Sequence, residues 1–265
     1  MTKHISSIQN PLIKDLILYK EKSRARRRAQ LFLIEGRREI SLAVKGDYDF
    51  RYVLFNPDIH SEEQSRALVP NAEEFISVSE EVYHRLAYRE GTQGILGVAE
   101  FKAFELADLQ LDNPNPLILV AEAPEKPGNI GGLLRTADAA ALDAVIIANP
   151  KTDMFNPNIV RSSVGCLFTN QIGLGSTSEV IAFLRDRGIK ICCASLQASE
   201  QYDKIDLTGP TALVVGTESE GLSEIWTKQS DKNLIIPMLG EIDSMNVSVA
   251  AGILIFEAKR QRGFK

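Results

Sequence analysis

The sequence predicts an α/β protein of two domains, the second built on a mostly parallel sheet. A chain of 265 residues suits two small domains better than one simple domain. Apolar runs of strand length alternate with segments of helical periodicity, an order typical of helices packed against a sheet. A stretch rich in Pro and Asn interrupts this alternation near 105–116. We therefore expect a first domain over 1–104, a linker over 105–115 and a second domain over 116–265.

Short elements of both kinds are expected in the first domain. Pro11 follows Asn10, a favourable helix cap, and apolar residues then recur at helical spacing, which predicts one helix from Pro11 to Ala29. Further helices are expected over 37–45, 61–69 and 79–87. Strands are expected over 31–34, 50–57, 74–79 and 94–101.

The second domain alternates more regularly. Strands are expected over 116–124, 144–150, 190–196, 211–219 and 233–239, and helices over 129–142, 176–188 and Val247–Arg260. Because strands alternate with helices that can cross over the sheet, the sheet should be mostly parallel. Ligands of such sheets bind where the carboxyl ends of the strands meet. Polar residues that follow these strands are therefore the first candidates for a functional site.

Composition excludes several classes of protein. The net charge is −5 and 44% of the residues are hydrophobic, which is enough for a packed core. The sequence has no apolar run of the ~18 residues that a membrane span needs, and its first residues lack the apolar core of a signal peptide. We expect a cytoplasmic protein without a membrane partner. Cys166 stands alone and Cys192 adjoins Cys193, so neither a disulfide framework nor a metal site is expected.

Positive charge is concentrated near the start of the chain. Residues 1–45 hold eleven Lys and Arg against four Asp and Glu, although the chain as a whole is acidic. A local basic segment on an acidic protein is typical of a nucleic-acid contact. A solvated helix face is the alternative that the charge run alone leaves open.

Unusual polar residues follow three strands of the second domain. They form the patterns N-x-G-x-x-x-R at 129–135, G-x-E-x-x-G-L at 216–222 and I-P-M-x-G-x-x-x-S-x-N at 236–246. Taken singly, each pattern also fits a structural helix start, and Ser244 is a candidate N-cap of the last helix. Glycines at a strand end also permit close approach of the backbone to a ligand.

In this order and spacing, the three motifs resemble those of the SpoU (TrmH-like) family of RNA 2′-O-ribose methyltransferases in the SPOUT superfamily. The first half resembles the ribosomal-protein-L30e-like substrate-binding domain of family members that act on rRNA. The resemblance implies an N-terminal L30e-like α/β domain followed by a C-terminal parallel α/β-knot domain with a trefoil knot. It also implies S-adenosylmethionine as cofactor, RNA as substrate, and a homodimer formed through the C-terminal domain.

Roles for single residues follow from the same resemblance. The implied catalytic positions are Asn129, Arg135, Glu218, Ser244 and Asn246. The implied cofactor-binding positions, acting largely through backbone groups, are Gly216, Ile236 and Met245. The arginines expected to contact RNA are Arg24, Arg26, Arg27, Arg28, Arg37, Arg38 and Arg161. For Arg161, a surface arginine beside a turn is an equal alternative.

These observations favour an S-adenosylmethionine-dependent RNA 2′-O-methyltransferase that acts on 23S rRNA. The rival substrate is tRNA, but relatives specific for tRNA usually lack the first domain. A non-catalytic RNA-binding protein that retains the knot is the alternative from another functional class. An enzyme acting on a small nucleotide would leave the basic residues of 20–38 without a role.

Overall fold

The computed structural model describes residues 2–88, 93–197, 200–217, 220–241 and 244–264. The chain separates into two compact units, one made of Met1–Ala103 and Asp153–Thr169, the other of Phe104–Thr152 and Asn170–Lys265. Residues 153–169 thus group with the first unit, although the sequence-based boundary placed them in the second domain. Residues 105–115, expected as a linker, are part of the second unit.

Strands and helices alternate along the chain, as the predicted α/β class requires. The strands are β1 (Lys3–Ile5), β2 (Leu31–Glu35), β3 (Phe50–Phe55), β4 (Glu74–Val78), β5 (Ile95–Glu100), β6 (Leu117–Glu122), β7 (Ala144–Ala148), β8 (Ile172–Gly175), β9 (Lys190–Ala194), β10 (Glu200–Gln201), β11 (Thr211–Val215) and β12 (Lys232–Ile235). The helices are α1 (Pro11–Glu21), α2 (Ser23–Ala29), α3 (Arg37–Lys45), α4 (Glu62–Leu68), α5 (Glu80–Leu86), α6 (Pro127–Ala139), α7 (Pro157–Ser162), α8 (Thr177–Asp186), α9 (Glu224–Gln229) and α10 (Val247–Gln261). The sequence prediction lacks β1, β8, β10, α7 and α9.

Within the described residues, the first unit holds a five-stranded mixed sheet in the order β1-β4-β3-β5-β2. Strands β1, β4 and β3 run parallel, and β5 runs antiparallel to both of its neighbours. Helix α1 contributes Ile13 and Leu16 to the buried apolar cluster of this unit, and α5 contributes Tyr83 and Leu86. The helical spacing of these residues explains why α1 and α5 form here.

The predicted single helix from Pro11 to Ala29 is wrong. The side chain of Asn10 caps α1 by accepting a hydrogen bond from the N–H of Leu12, as predicted. Lys22 then adopts an extended backbone, with φ −120° and ψ 114°, and α2 starts only after it. Since neither Pro nor Gly marks this position, the sequence carried no signal for the break.

The segment that carries α7 is anchored in the first unit by aromatic packing and a buried ion pair. The ring of Phe155 lies 4.3 Å, centroid to centroid, from the rings of both Phe32 and Phe101. Arg26 Nη2 donates to Asp153 Oδ2 at 2.7 Å, and Arg26 Nε donates to Oδ1 at 3.3 Å. These partners lie far apart along the chain, which is why local patterns suggested only a loop.

Within the described residues, the second unit forms a seven-stranded sheet in the order β10-β12-β9-β11-β6-β7-β8. Every recorded strand pair in it is parallel, which confirms the predicted parallel sheet. The residues of β6, β7 and β11 are buried throughout. Such continuous apolar runs are typical of strands covered on both faces.

Helices α6 and α10 pack closely against each other in this unit. A Cβ at Gly132 of α6 would lie 3.0 Å from both Cβ and Oγ of Ser248 on α10. Gly132 therefore permits a close approach of the two helices, and that approach brings the first and third sequence motifs together. In the part of the chain that the structure describes, no helix combines the length and apolarity needed to cross a bilayer.

Candidate active site

A cleft opens at the carboxyl ends of the neighbouring strands β12, β9 and β11. It encloses about 440 Å³, a volume in the range of small-molecule sites. Its apolar lining comes from the strand ends and the segments that follow them, and comprises Leu196, Val215, Leu222, Leu234, Ile235, Ile236, Met238, Met245 and Val247. Glu220 and Glu224 add carboxylates to the lining. This is the edge of the sheet where a ligand was expected.

The predicted cofactor-binding positions meet in this cleft. Gly216 follows β11, Ile236 follows β12, and Met245 lies in the segment before α10; all three line the cleft. Ser244, a predicted catalytic residue, lines it as well. Adjacent parallel strands end at the same edge of the sheet, so residues separated along the sequence become neighbours here.

Gly216 lies where the chain turns back on itself after β11. Thr217 and Gly221 exchange backbone N–H to O=C hydrogen bonds of 3.0 Å in both directions. A Cβ at position 216 would overlap the backbone carbonyl of Gly221, so only glycine fits beneath this turn. Glu218, the predicted catalytic residue of the same motif, lies outside the described residues.

Asn246 joins the third motif to the first. Its Oδ1 accepts hydrogen bonds from the N–H of Ser248 at 2.9 Å and from the Ser248 hydroxyl at 2.6 Å. Asn246 is thus the N-cap of α10, and Ser244, the candidate suggested by the sequence, does not hold this position. Its Nδ2 donates to Oδ1 of Asn129 at 3.0 Å. One side chain therefore both caps α10 and contacts the first turn of α6.

Arg135 lies on α6 six residues beyond Asn129, which corresponds to roughly 9 Å of rise along the helix axis. Its side chain is exposed, and no ion pair joins it to a described carboxylate. The guanidinium is therefore available for an anionic ligand. Asn129 lies in the first turn of the same helix and is half-buried.

The arginines that were expected to contact RNA differ in solvent exposure. Six of them have exposed side chains, namely Arg24, Arg27, Arg28, Arg37, Arg38 and Arg161. Arg26 is only 2% exposed and is paired with Asp153. It also donates to the backbone carbonyl of Tyr19 at 2.7 Å. Because its hydrogen-bond donors are engaged inside the first unit, Arg26 is not available to contact RNA. Arg161 lies on α7 and belongs to that unit too.

Among the residues that the structure describes, neither a metal site nor a reactive thiol is found near the cleft. No three of the described His, Cys, Asp and Glu side chains gather into a group able to hold a metal ion. Burial raises the pKa of the Cys192 thiol to about 11, and it also raises the pKa of Cys193. Both thiols on β9 therefore stay protonated at neutral pH and are poor nucleophiles.

A model of the SpoU rRNA Methylase family matches residues 116–256. The chain belongs to this family. A second model, the MRM3-like substrate binding domain, matches residues 10–97. These matches confirm the resemblance found from the three motifs and show that a substrate-binding domain precedes the methylase domain.

Proteins of known identity support the same placement over nearly the full chain. The 23S rRNA (guanosine(2553)-2′-O)-methyltransferase RlmP of Bacillus subtilis is 29% identical, over 97% of this chain and 99% of the relative. The 23S rRNA (uridine(2479)-2′-O)-methyltransferase of Streptomyces viridochromogenes is 32% identical, over 89% of this chain and 85% of the relative. The crystal structure of an AdoMet-bound rRNA methyltransferase from Sinorhizobium meliloti superposes with a TM-score of 0.89 at 28% identity, covering 98% of each chain.

Proposed function

We propose that this chain transfers the methyl group of S-adenosylmethionine to a ribose 2′-hydroxyl of 23S rRNA. The observation that carries the proposal is the convergence of the three motifs. The second and third share one cleft, and the third is hydrogen-bonded to the first through Asn246 and Asn129. Two relatives that match most of the chain are named as 2′-O-methyltransferases of 23S rRNA.

The cleft fits S-adenosylmethionine in size and chemistry. Its apolar walls suit an adenine ring, and Gly216 leaves the end of β11 uncovered by a side chain. Backbone groups around Gly216, Ile236 and Met245 would hold the cofactor, which explains why no cofactor fingerprint of polar side chains stands in the sequence. When bound, the cofactor supplies a methyl group activated by a positively charged sulfur.

The residues of α6 and of the α10 cap would handle the RNA. A guanidinium is a hydrogen-bond donor with no acceptor, so Arg135 would not take the proton of the ribose hydroxyl, which would pass to water. Its planar guanidinium can instead clamp a phosphate and stabilise negative charge that develops on the 2′-oxygen. Asn129, fixed by Asn246, would orient the ribose, and Ser244 would supply a further hydrogen bond. Glu218 would complete the catalytic set that the family resemblance implies.

The first unit would hold the RNA substrate. Its exposed arginines at 24, 27, 28, 37, 38 and 161 provide positive charge on a chain that is acidic overall. Phosphate neutralisation by such groups dominates the affinity of proteins for nucleic acids. Residues 10–97 of this unit match a substrate-binding domain. This match favours RNA binding by the basic segment over the alternative of a solvated helix face.

A homodimer through the second unit is part of the proposal. Val249, Ile253 and Phe256 recur at helical spacing along α10, and Val249 and Phe256 are 54% and 45% exposed. An apolar stripe of this kind is typical of a surface that a partner covers. The trefoil knot and the cytoplasmic location are proposed from the family resemblance.

Two measurements on the purified protein test this function. Calorimetry should detect binding of S-adenosylmethionine, and radiolabelled methyl groups should enter 23S rRNA and resist alkali as 2′-O-methyl ribose. Binding of RNA without binding of the cofactor would instead identify a non-catalytic RNA-binding protein. Incorporation of the label into tRNA alone would support 2′-O-methyl transfer but contradict 23S rRNA as the substrate.

A further inference from the structure

A buried carboxylate adjoins the cleft and lies outside the predicted catalytic set. Glu122 ends β6 and is 6% exposed. Its Oε1 accepts hydrogen bonds from the hydroxyls of Thr177 at 3.0 Å and Ser223 at 2.8 Å, and its Oε2 accepts one from the N–H of Ser223 at 2.8 Å. Burial of a carboxylate is unfavourable unless such bonds compensate it. The groups that Glu122 holds therefore indicate what it does.

Ser223 connects the turn after β11 to helix α9. It occupies the N-cap position of α9, yet its side chain makes no capping hydrogen bond. Both its hydroxyl and its N–H are directed to Glu122 instead. Leu222 precedes it, and Glu224 and Thr227 follow on α9; all three line the cleft. The carboxylate of Glu122 therefore fixes Ser223, which lies between the cleft-lining residues Leu222 and Glu224.

The other partner of Glu122 anchors the carboxylate to the sheet. The hydroxyl of Thr177, at the start of α8, also accepts a hydrogen bond from Nδ2 of Asn149 at 2.7 Å. The N–H of Thr177 donates to Oδ1 of Asn149 at 3.1 Å. Asn149 directly follows β7. Glu122 thus connects the cleft wall to the rigid carboxyl ends of β6 and β7, next to the segment that leads into α6.

We propose that Glu122 is a positioning residue for cofactor binding, which holds Ser223 and thereby sets the wall formed by Leu222 and α9. The proposal rests on the proposed function, since the cofactor is the ligand whose site is shaped. Glu122 acts through Ser223, so its loss should weaken cofactor affinity and raise the KM for S-adenosylmethionine. The turnover number at saturating cofactor should change little, because Asn129, Arg135 and Asn246 are untouched.

A glutamine at position 122 keeps the size of the side chain and changes its hydrogen bonding. Glu122→Gln retains one acceptor oxygen and sets an NH2 group against donors of Ser223 or Thr177. Thr177→Val is the matched control, because it removes one donor from the same carboxylate but leaves both bonds to Ser223. Ser223→Ala removes only the hydroxyl from the cleft side and, since that hydroxyl does not cap α9, leaves the helix start intact.

The test compares the full-length native chain with these three variants. Dissociation constants for S-adenosylmethionine come from calorimetry, and from the fluorescence of Trp226, the sole tryptophan of the chain and fully buried in α9. Melting temperatures report stability, and methyl-transfer kinetics separate KM from kcat. Glu122→Gln should raise the dissociation constant and KM about tenfold, the loss expected for a hydrogen bond to a charged group. Thr177→Val should lower the melting temperature while leaving the dissociation constant within about twofold.

The outcomes distinguish this inference from the function on which it rests. A native chain that does not bind S-adenosylmethionine would overturn the function, and this proposal with it. Native-like binding by Glu122→Gln, or equal weakening by Glu122→Gln and Thr177→Val, would overturn the positioning role alone. Should Glu122→Gln fail to fold, Ser223→Ala decides: a roughly threefold weaker affinity supports the role, and unchanged affinity contradicts it.

Discussion

Nδ2 of Asn246 donates a hydrogen bond of 3.0 Å to Oδ1 of Asn129, although Asn246 precedes α10, Asn129 lies on α6, and the two belong to different sequence motifs. The same Asn246 side chain caps α10 through its oxygen. Capping and positioning are therefore assigned to different atoms of one amide. Substitutions at this position can separate the two effects.

Asn246→Asp should impair turnover with little effect on stability. Aspartate keeps an oxygen for the N–H of Ser248 and is as favourable an N-cap as asparagine, but it cannot donate to Asn129. We expect about tenfold lower turnover and an unchanged melting temperature. Asn246→Ala is the control that loses both functions, with a cost of about 1 kcal/mol in the free energy of unfolding. Full activity in Asn246→Asp would show that the contact with Asn129 is dispensable.

Arg135→Lys should lower turnover although the charge is retained. Lysine presents a point charge in place of the planar fork that binds a phosphate in a bidentate manner. Because Arg135 is exposed, the melting temperature should not change. We expect at least about a tenfold loss of kcat for methyl transfer into rRNA. A fully active lysine variant would rule out the proposed clamp.

Gly216→Ala should abolish cofactor binding. A Cβ at this position would overlap the backbone carbonyl of Gly221 and force open the turn after β11. Gly209→Ala is the matched control, because a Cβ there meets no atom within 4 Å. Calorimetric titration with S-adenosylmethionine should show no binding to Gly216→Ala and native-like binding to Gly209→Ala. Equal affinities of the two variants for S-adenosylmethionine would show that the cofactor does not bind in this cleft.

Replacing the three exposed arginines of α2 by glutamine should weaken RNA binding without unfolding the protein. Arg24, Arg27 and Arg28 present their charges to solvent. If they contact phosphates, the slope of log K against log salt should fall by roughly 0.7–0.9 per lost contact. Binding of a 23S rRNA fragment, measured at several salt concentrations, gives this slope. An unchanged slope would identify α2 as a solvated helix face.

Arg26→Gln should destabilise the protein, in contrast to its neighbours. It would leave the buried carboxylate of Asp153 without its charged partner, and such a loss typically costs about 3–5 kcal/mol. Denaturant unfolding measures the effect directly. Stability equal to that of the native chain would contradict a structural role for Arg26.

The sequence predicted those features that depend on local patterns. Alternation of strands and helices predicted the parallel sheet, and the second and third motifs contain several of the residues that line the cleft. Prediction from the sequence failed where contacts between residues far apart along the chain determine the structure. Arg26 is indistinguishable from its neighbours in a run of arginines until Asp153, 127 residues away, reveals its burial. Ser244 and Asn246 are both competent caps, and only the backbone before α10 selects between them.

The sequence contained a signal for the buried position of Glu122. This residue is an acid at the end of an otherwise apolar strand, LILVAE, and charged residues are almost never buried unless paired. Its partners, Thr177 and Ser223, follow other strands in the sequence. Their proximity becomes visible only once the order of the strands is known.

The most direct test of the central claim is a map of 2′-O-methylation across all rRNA and tRNA, from a strain that lacks this gene and from its parent. We predict the loss of one methylated ribose in 23S rRNA, restored by the native gene and not by a gene that encodes Arg135→Lys. An unchanged map, with every ribose methylation retained in the deletion strain, would contradict it.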